Sequence, residues 1–186
     1  MRALLLRHGE SVHNADRSGE PAAHSEGDRL TEKGVEQAHA AGTGLRELGV
    51  TRLLSSPLRR ARETAQAVGD ALGLEPEEVD YVGELTSAES FEQAIERVRR
   101  LKAELEAGEA GALPLLVTHG IFMRFFLLDS VLGEGFEAPM AGGIWNLGSH
   151  NCGLCTFAHG ESRDPLGQPI AGWTCLTWME RPWSRP

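Results

Sequence analysis

The chain has 186 residues, enough for one domain, over 1–186, with a sizeable core. Hydrophobic residues make up 41% and charged residues 24%, ordinary globular values that exclude wholesale disorder. A net charge of −9 argues against nucleic acid or an anionic membrane surface as a partner.

Ala3 to Leu6 is a continuous apolar run, as a strand covered on both faces would be, and too short for a signal peptide. Residues 15–29 are predicted as loop from their Ser, Gly, Asp and Pro content. From Thr31, Val35, Ala38, Leu45 and Leu48 fall on one helical face. Thr51 to Leu54 is the second predicted strand, and Ser56-Pro57 has a capping hydroxyl before a helix-opening proline. Ser90 with Gln93 forms a capping-box pattern ahead of the stripe Phe91, Ile95, Val98, Leu101 and Leu105. Leu113 to Val117 is a third buried strand, and Ile121 to Leu132 a largely apolar helix. That stretch is broken by His119 and Arg124, so no membrane span is expected. Asn151 to Phe157 and Trp173 to Met179 are two further strands around a Gly/Pro loop at 160–169. The βαβα order predicts a three-layer α/β/α fold with a mainly parallel sheet flanked by helices. Three cysteines suit a reducing, cytoplasmic setting.

Three predicted strand ends carry unusual residues. Arg7, His8, Gly9 and Glu10 follow the first, Ser55, Ser56 and then Arg60 the second, and Thr118, His119 and Gly120 the third. Ligands bind outside the carboxyl ends of strands in open parallel sheets. Each residue alone is as readily a solvated or structurally paired side chain. Together, two arginines and two histidines at equivalent positions form an anion site.

Arg7-His8-Gly9-Glu10-Ser11 with Asn14 resembles the signature of the histidine phosphatase superfamily, the phosphoglycerate-mutase-like enzymes. Leu30-Thr31-Glu32-Lys33-Gly34 with Gln37, Ser55 to Arg62 with Thr64, and Val117-Thr118-His119-Gly120 match its further motifs in order. The resemblance implies a phosphoglycerate-mutase-like fold and a phosphohistidine formed on His8. Arg7, Asn14, Arg60, His119 and Gly120 would bind the phosphoryl group, with no cofactor and no metal. It also implies a carboxyl proton donor, for which Glu84 is the first choice and Glu89 the rival, because a stretch usual in the family is missing between them. The expected activity is a phosphomonoesterase acting on a small phosphorylated metabolite. The alternatives are a phosphoglycerate mutase and a catalytically weak phosphate-binding module. Specificity is expected in loops at 15–28, 82–90 and 133–150. Self-association into a homo-oligomer is left open.

Other clusters have plainer readings. Cys152 and Cys155, with His150 and His159 nearby, have zinc-like spacing, but a strand over 151–157 would turn the thiols to opposite faces. Arg97, Arg99 and Arg100 share a helix with Glu92, Glu96, Glu104 and Glu106, as in a salt-bridged solvated face. The four tryptophans are expected to pack, with Phe122 or Trp145 as a wall of the pocket.

Overall fold

A computed structural model describes residues 1–16, 28–86, 88–163 and 166–184. Its strands are β1 (Arg2–Arg7), β2 (Arg52–Ser55), β3 (Glu77–Glu78), β4 (Pro114–Thr118), β5 (Leu154–Arg163) and β6 (Pro169–Glu180). The helices are α1 (Val12–Ala15), α2 (Glu32–Leu45), α3 (Arg59–Leu72), α4 (Phe91–Glu106) and α5 (Gly120–Leu132). One six-stranded sheet has the order β3-β2-β4-β1-β5-β6. The pairs β3–β2, β2–β4 and β4–β1 are parallel, while β1–β5 and β5–β6 are antiparallel. The sheet is therefore mixed, with the expected parallel portion running from β3 to β1 and an antiparallel hairpin, β5 and β6, on the other side.

Alternation along the strands divides the apolar residues between two cores. Ala3, Leu5, Leu54 and Leu116 face α4 and α5 with Val98, Leu101, Phe122 and Phe126. Leu4, Leu6, Leu53, Leu115 and Val117 face α2 and α3 with Ala38, Leu45, Ala61 and Val68. This double coverage explains why β1 and β4 are continuous apolar runs rather than alternating ones. Each fully buried leucine contributes about 2 kcal/mol of transfer free energy. The Ser90–Gln93 capping box forms as predicted: Ser90 Oγ accepts from Gln93 N at 3.3 Å, and Gln93 Oε1 from Ser90 N at 2.8 Å. No described helix is long and apolar enough to cross a membrane.

Several expectations change. Helix α3 starts at Arg59, and its N-cap, Leu58, makes no side-chain cap bond. Ser56 Oγ accepts from Leu58 N at 3.2 Å inside the preceding turn, so it is not the helix cap. On α2 the inner face is Ala38, Ala41 and Leu45, while Val35 and Leu48 are 41% and 46% exposed. The hairpin strands extend through much of the expected 160–169 loop, with Gly160 paired to Gly172 and Arg163 to Pro169. The predicted loop at 15–29 lies mostly outside the described residues. Arg97, Arg99 and Arg100 do not bridge to carboxylates on their own helix. They reach Glu89, Asp129 and the Tyr81 ring, all on other segments.

Candidate active site

The parallel ladder continues one residue past the strand ends and there sets out the site. His8 N donates to Thr118 O and Ser56 N to Val117 O, both at 3.0 Å. His8, His119 and Ser56 therefore lie side by side where β1, β4 and β2 stop. The two imidazoles are 5.1 Å apart between centroids, tilted by 55°. Beyond β1 the chain passes backbone to backbone against the start of α2. A Cβ on Gly9 would stand 2.5 Å from Gly34 O, and one on Gly34 2.0 Å from Glu10 O, so both positions need glycine. Gly9 N is held by Thr64 Oγ1 at 3.0 Å, and that hydroxyl donates to Arg60 O at 2.7 Å.

His8 has its ring chemistry fixed by its partners. Nδ1 donates to the Gly9 carbonyl at 2.7 Å, because a carbonyl can only accept. Nε2 accepts from Arg60 Nε at 3.2 Å, because a guanidinium can only donate. The imidazole is thus neutral, with its lone pair on Nε2. Burial holds its pKa well below the ordinary histidine value, helped by the charges of Arg7 and Arg60.

Arginines surround this ring. Arg60 is almost fully buried, with Asp28 at 3.8 Å from Nη1. Arg7 donates from Nη1 to Ser149 O and Oγ, each at 3.3 Å, and from Nη2 to Asn14 Oδ1 at 3.4 Å. Asn14 Oδ1 also accepts from Asn151 Nδ2 at 2.8 Å. Burial lowers the pKa of both Arg7 and Arg60, opposed in both by the carboxyl of Glu84. His119 Nε2 lies 2.7 Å from Ser56 Oγ.

The structure separates the two carboxyl candidates. Glu84 reaches the first turn of α5, where Oε1 accepts from Phe122 N and Leu85 N at 3.1 Å each, and Oε2 from Ile121 N at 3.4 Å. Burial raises its pKa above the usual carboxylate value against the pull of these amides and of Arg60. Glu89 instead pairs with Arg97, Oε2 accepting from Nη2 at 2.7 Å. Arg97 also holds the carbonyls of Tyr81 and Gly83, so this pair braces the segment carrying Glu84. Arg7, His8, Asn14, Arg60, Glu84, His119 and Gly120 thus gather at one sheet edge, and Glu89 does not join them.

Four contributors escaped the sequence analysis in these roles: Ser149, Asn151, Asp28 and Arg124. Arg124 donates to Leu147 O from Nε at 2.9 Å and from Nη2 at 2.6 Å. Their signal was absent because each belongs to a loop or helix turn brought in by tertiary packing. Of the suggested pocket walls, Phe122 is fully buried in the core, whereas Trp145 is 66% exposed, against the expectation that it packs. Cys152 and Cys155 fall in different cores, and burial pushes both thiols up to about 12.

Comparison with known proteins gives this arrangement relatives. Residues 3–86 match the family model of the histidine phosphatase superfamily (branch 1). A probable phosphoglycerate mutase of Salmonella arizonae is 30% identical over 196 aligned residues, covering 88% of this chain and 87% of its own. Its counterpart from Erwinia tasmaniensis is 29% identical, with 87% and 86% covered. Among solved structures, a mycobacterial glucosyl-3-phosphoglycerate phosphatase superposes with a TM-score of 0.74 at 24% identity, over 97% of this chain and 99% of its own. A phosphoserine phosphatase of Entamoeba histolytica gives 0.73 at 18% identity, over 98% of each chain. Both likenesses are of fold.

Proposed function

We propose, from the premise that this chain belongs to the histidine phosphatase superfamily, that it is a metal-independent phosphomonoesterase working through a phosphohistidine on a small phosphorylated metabolite. One observation carries the reading: His8 is buried and neutral, with Nδ1–H tied to Gly9 O and its lone pair on Nε2. A nucleophilic imidazole needs this tautomer, and a merely structural histidine does not.

The chemistry follows from the neighbours. Arg60 exchanges its bond to Nε2 for a phosphoryl oxygen as the substrate enters, and Arg7, Asn14, His119 and the Gly120 amide hold the other oxygens. Guanidinium forks suit these oxygens, and donors already aimed at them need no reorganisation in the transition state. The Nε2 lone pair forms the N–P bond as the ester P–O bond breaks. The leaving oxygen takes a proton from Glu84, whose raised pKa keeps it protonated further up the pH scale than an ordinary carboxyl. Oε1 takes two of the three amide contacts, which leaves Oε2 as the freer oxygen of the carboxyl. Water then attacks the phosphohistidine and returns a proton to Glu84, releasing phosphate and restoring His8.

A second reading has support in the curated relatives, which are named probable phosphoglycerate mutases. A mutase must hold its phosphoenzyme away from water while the substrate reorients. Here the chain between Glu84 and Glu89 is only four residues long, and Glu89 N donates to Thr86 O at 3.2 Å; so short a segment favours hydrolysis. The test is to supply 3-phosphoglycerate with a trace of bisphosphorylated primer, alongside an aryl phosphate. Phosphate release from the aryl ester with acid-labile labelling of His8 supports the phosphatase. Rapid formation of 2-phosphoglycerate with little inorganic phosphate overturns it.

A further inference from the structure

Arg124 is a buried cation that the chemistry above does not use. It lies one turn after Gly120 on α5, so the two share a helix face. The residue is only 8% exposed. Its Nε and Nη2 are taken up by Leu147 O, and Nη2 also donates to Ser149 Oγ at 3.1 Å. Among the described residues Nη1 has no hydrogen-bond partner. It faces the side of Gly120 from which a side chain would project. A Cβ there would meet Arg124 Nη1 at 3.2 Å, Ser149 Oγ at 3.2 Å and Arg7 Nε at 3.4 Å. Among the described residues Arg7 Nε is likewise without a hydrogen-bond partner, and it is buried. Two cationic N–H donors and a hydroxyl therefore converge beside Gly120, next to His119 and against the phosphoryl pocket. Burying the Arg7 Nε–H with no acceptor is costly, and an arriving anion recovers that cost.

We propose that Arg124 Nη1, Ser149 Oγ and Arg7 Nε form a second anion subsite, which favours phosphomonoesters that carry a carboxylate a few bonds from phosphorus. The inference rests on the phosphatase reading above and adds to it a residue that sets specificity. Two cationic N–H donors and one hydroxyl suit the two oxygens of a single carboxylate, whereas a second phosphoryl group brings three oxygens and more negative charge to arginines that Asp28 and Glu84 already offset in part. The exposed Trp145 ring, whose centroid is 5.7 Å from Arg124 Cζ, forms the outer wall against which the organic part of such a substrate would rest.

The test uses non-hydrolysable probes, so it does not depend on turnover. Calorimetry compares methylphosphonate, phosphonoacetate and methylenediphosphonate on the wild type, Arg124→Met and Arg124→Lys, each checked for folding by circular dichroism. The wild type should prefer phosphonoacetate to methylphosphonate by about ten- to a hundredfold, the range of a charge-assisted hydrogen bond. Arg124→Met should bring that ratio near one, and Arg124→Lys should keep part of it. A purely structural arginine would weaken both probes alike and leave the ratio unchanged, which overturns the subsite. So does a wild type with no preference, a result that needs no variant. An Arg124-dependent preference for methylenediphosphonate over phosphonoacetate overturns the carboxylate assignment. Failure of the wild type to bind any phosphonate overturns the phosphoryl pocket itself, and the subsite with it.

Discussion

Two clusters of buried charge in this protein are built on opposite rules. Between α4 and α5, Lys102 Nζ donates to Asp129 Oδ2 at 2.7 Å, and Arg99 Nε donates to Oδ1 at 2.9 Å. The Phe126 ring covers the ammonium at 4.8 Å. Both carboxylate oxygens are matched, so the cluster neutralises its own buried charge. At the strand ends, Arg7, Arg60 and Arg124 crowd against Glu84 and Asp28, and burial lowers the pKa of all three arginines. Here the described arginines outnumber the carboxylates, and among the described residues Arg7 Nε is buried without an acceptor. A fold that only needs stability neutralises a buried charge locally, whereas a site for an anion leaves the counter-charge to its ligand. The comparison breaks if changes at the strand ends affect stability alone, or if changes between the helices affect turnover.

The largest effect is expected at His8. On the proposed mechanism His8→Ala removes the nucleophilic nitrogen, so turnover should fall by at least about a thousandfold while the fold persists. Phosphate release and the thermal midpoint measure the two sides. The pH dependence of stability has a definite sign. Burial holds the folded-state pKa of His8 well below the ordinary histidine value of about 6.5, so the unfolded chain binds a proton that the folded one refuses. Wild-type stability should therefore fall as the pH drops below about 6.5, and His8→Ala should lack that share of the loss. A thermal midpoint with the same acid slope in both proteins would contradict a buried neutral His8.

Glu84→Gln comes next. It should slow esters with poor leaving groups by about 10²–10⁴-fold and activated aryl phosphates far less, since the latter depart without a proton. Its stability signature is opposite to that of His8. Glu84 has a raised folded-state pKa, so the folded protein loses stability as pH rises from 4.5 through that value. The glutamine variant should gain on the wild type over that range and hold the gain above it. Equal losses on both ester types would take the proton transfer away from Glu84.

At the self-neutralised cluster the expectation is reversed. Lys102→Met leaves Asp129 buried with only Arg99, whose side chain is 48% exposed. Removing one partner of a buried pair costs about 3–5 kcal/mol, and the remaining arginine should hold the loss near the lower figure. Denaturant unfolding measures it. Turnover on an aryl phosphate, taken well below the unfolding transition, should stay within about twofold. A much larger drop would mean that the two clusters are coupled and the contrast between them fails.

The site was legible wherever chemistry follows directly on a buried strand. Arg7 and His8 close the run from Ala3 to Leu6, and His119 follows Leu115 to Thr118, so topology alone brought them together. Ser56 shows where local reasoning ends. Its position before a proline suggested a helix cap, but its hydroxyl serves the Leu58 amide and the His119 ring. Ser149 and Arg124 carry no local signal, because their value depends on a loop from 147 to 153 that returns across the ends of β1 and β4. The hairpin was misjudged for a related reason. Gly160 and Gly172 suggest turns, yet they face each other across the ladder, where each removes the need for a cross-strand side chain.

Glu89 offers the smallest effect and the sharpest control on the choice of acid. By sequence it competed with Glu84, since both are carboxylates in the short segment before α4. In the structure its two oxygens are held by Arg97, and that arginine also holds the carbonyls of Tyr81 and Gly83. Its role is to keep the Glu84 segment in place, and its carboxyl touches neither histidine nor either phosphate-facing arginine. Glu89→Gln retains an acceptor for Arg97 and loses the charge of a partly exposed pair, a change of about 1 kcal/mol in stability. Turnover should fall by no more than about threefold, and by the same factor for poor and good leaving groups, because the acid itself is intact. Steady-state rates on an alkyl and an aryl phosphate, measured beside Glu84→Gln, decide the matter. A loss confined to the alkyl ester in Glu89→Gln would transfer the proton donor to Glu89 and require the segment between the two carboxylates to rearrange when substrate binds.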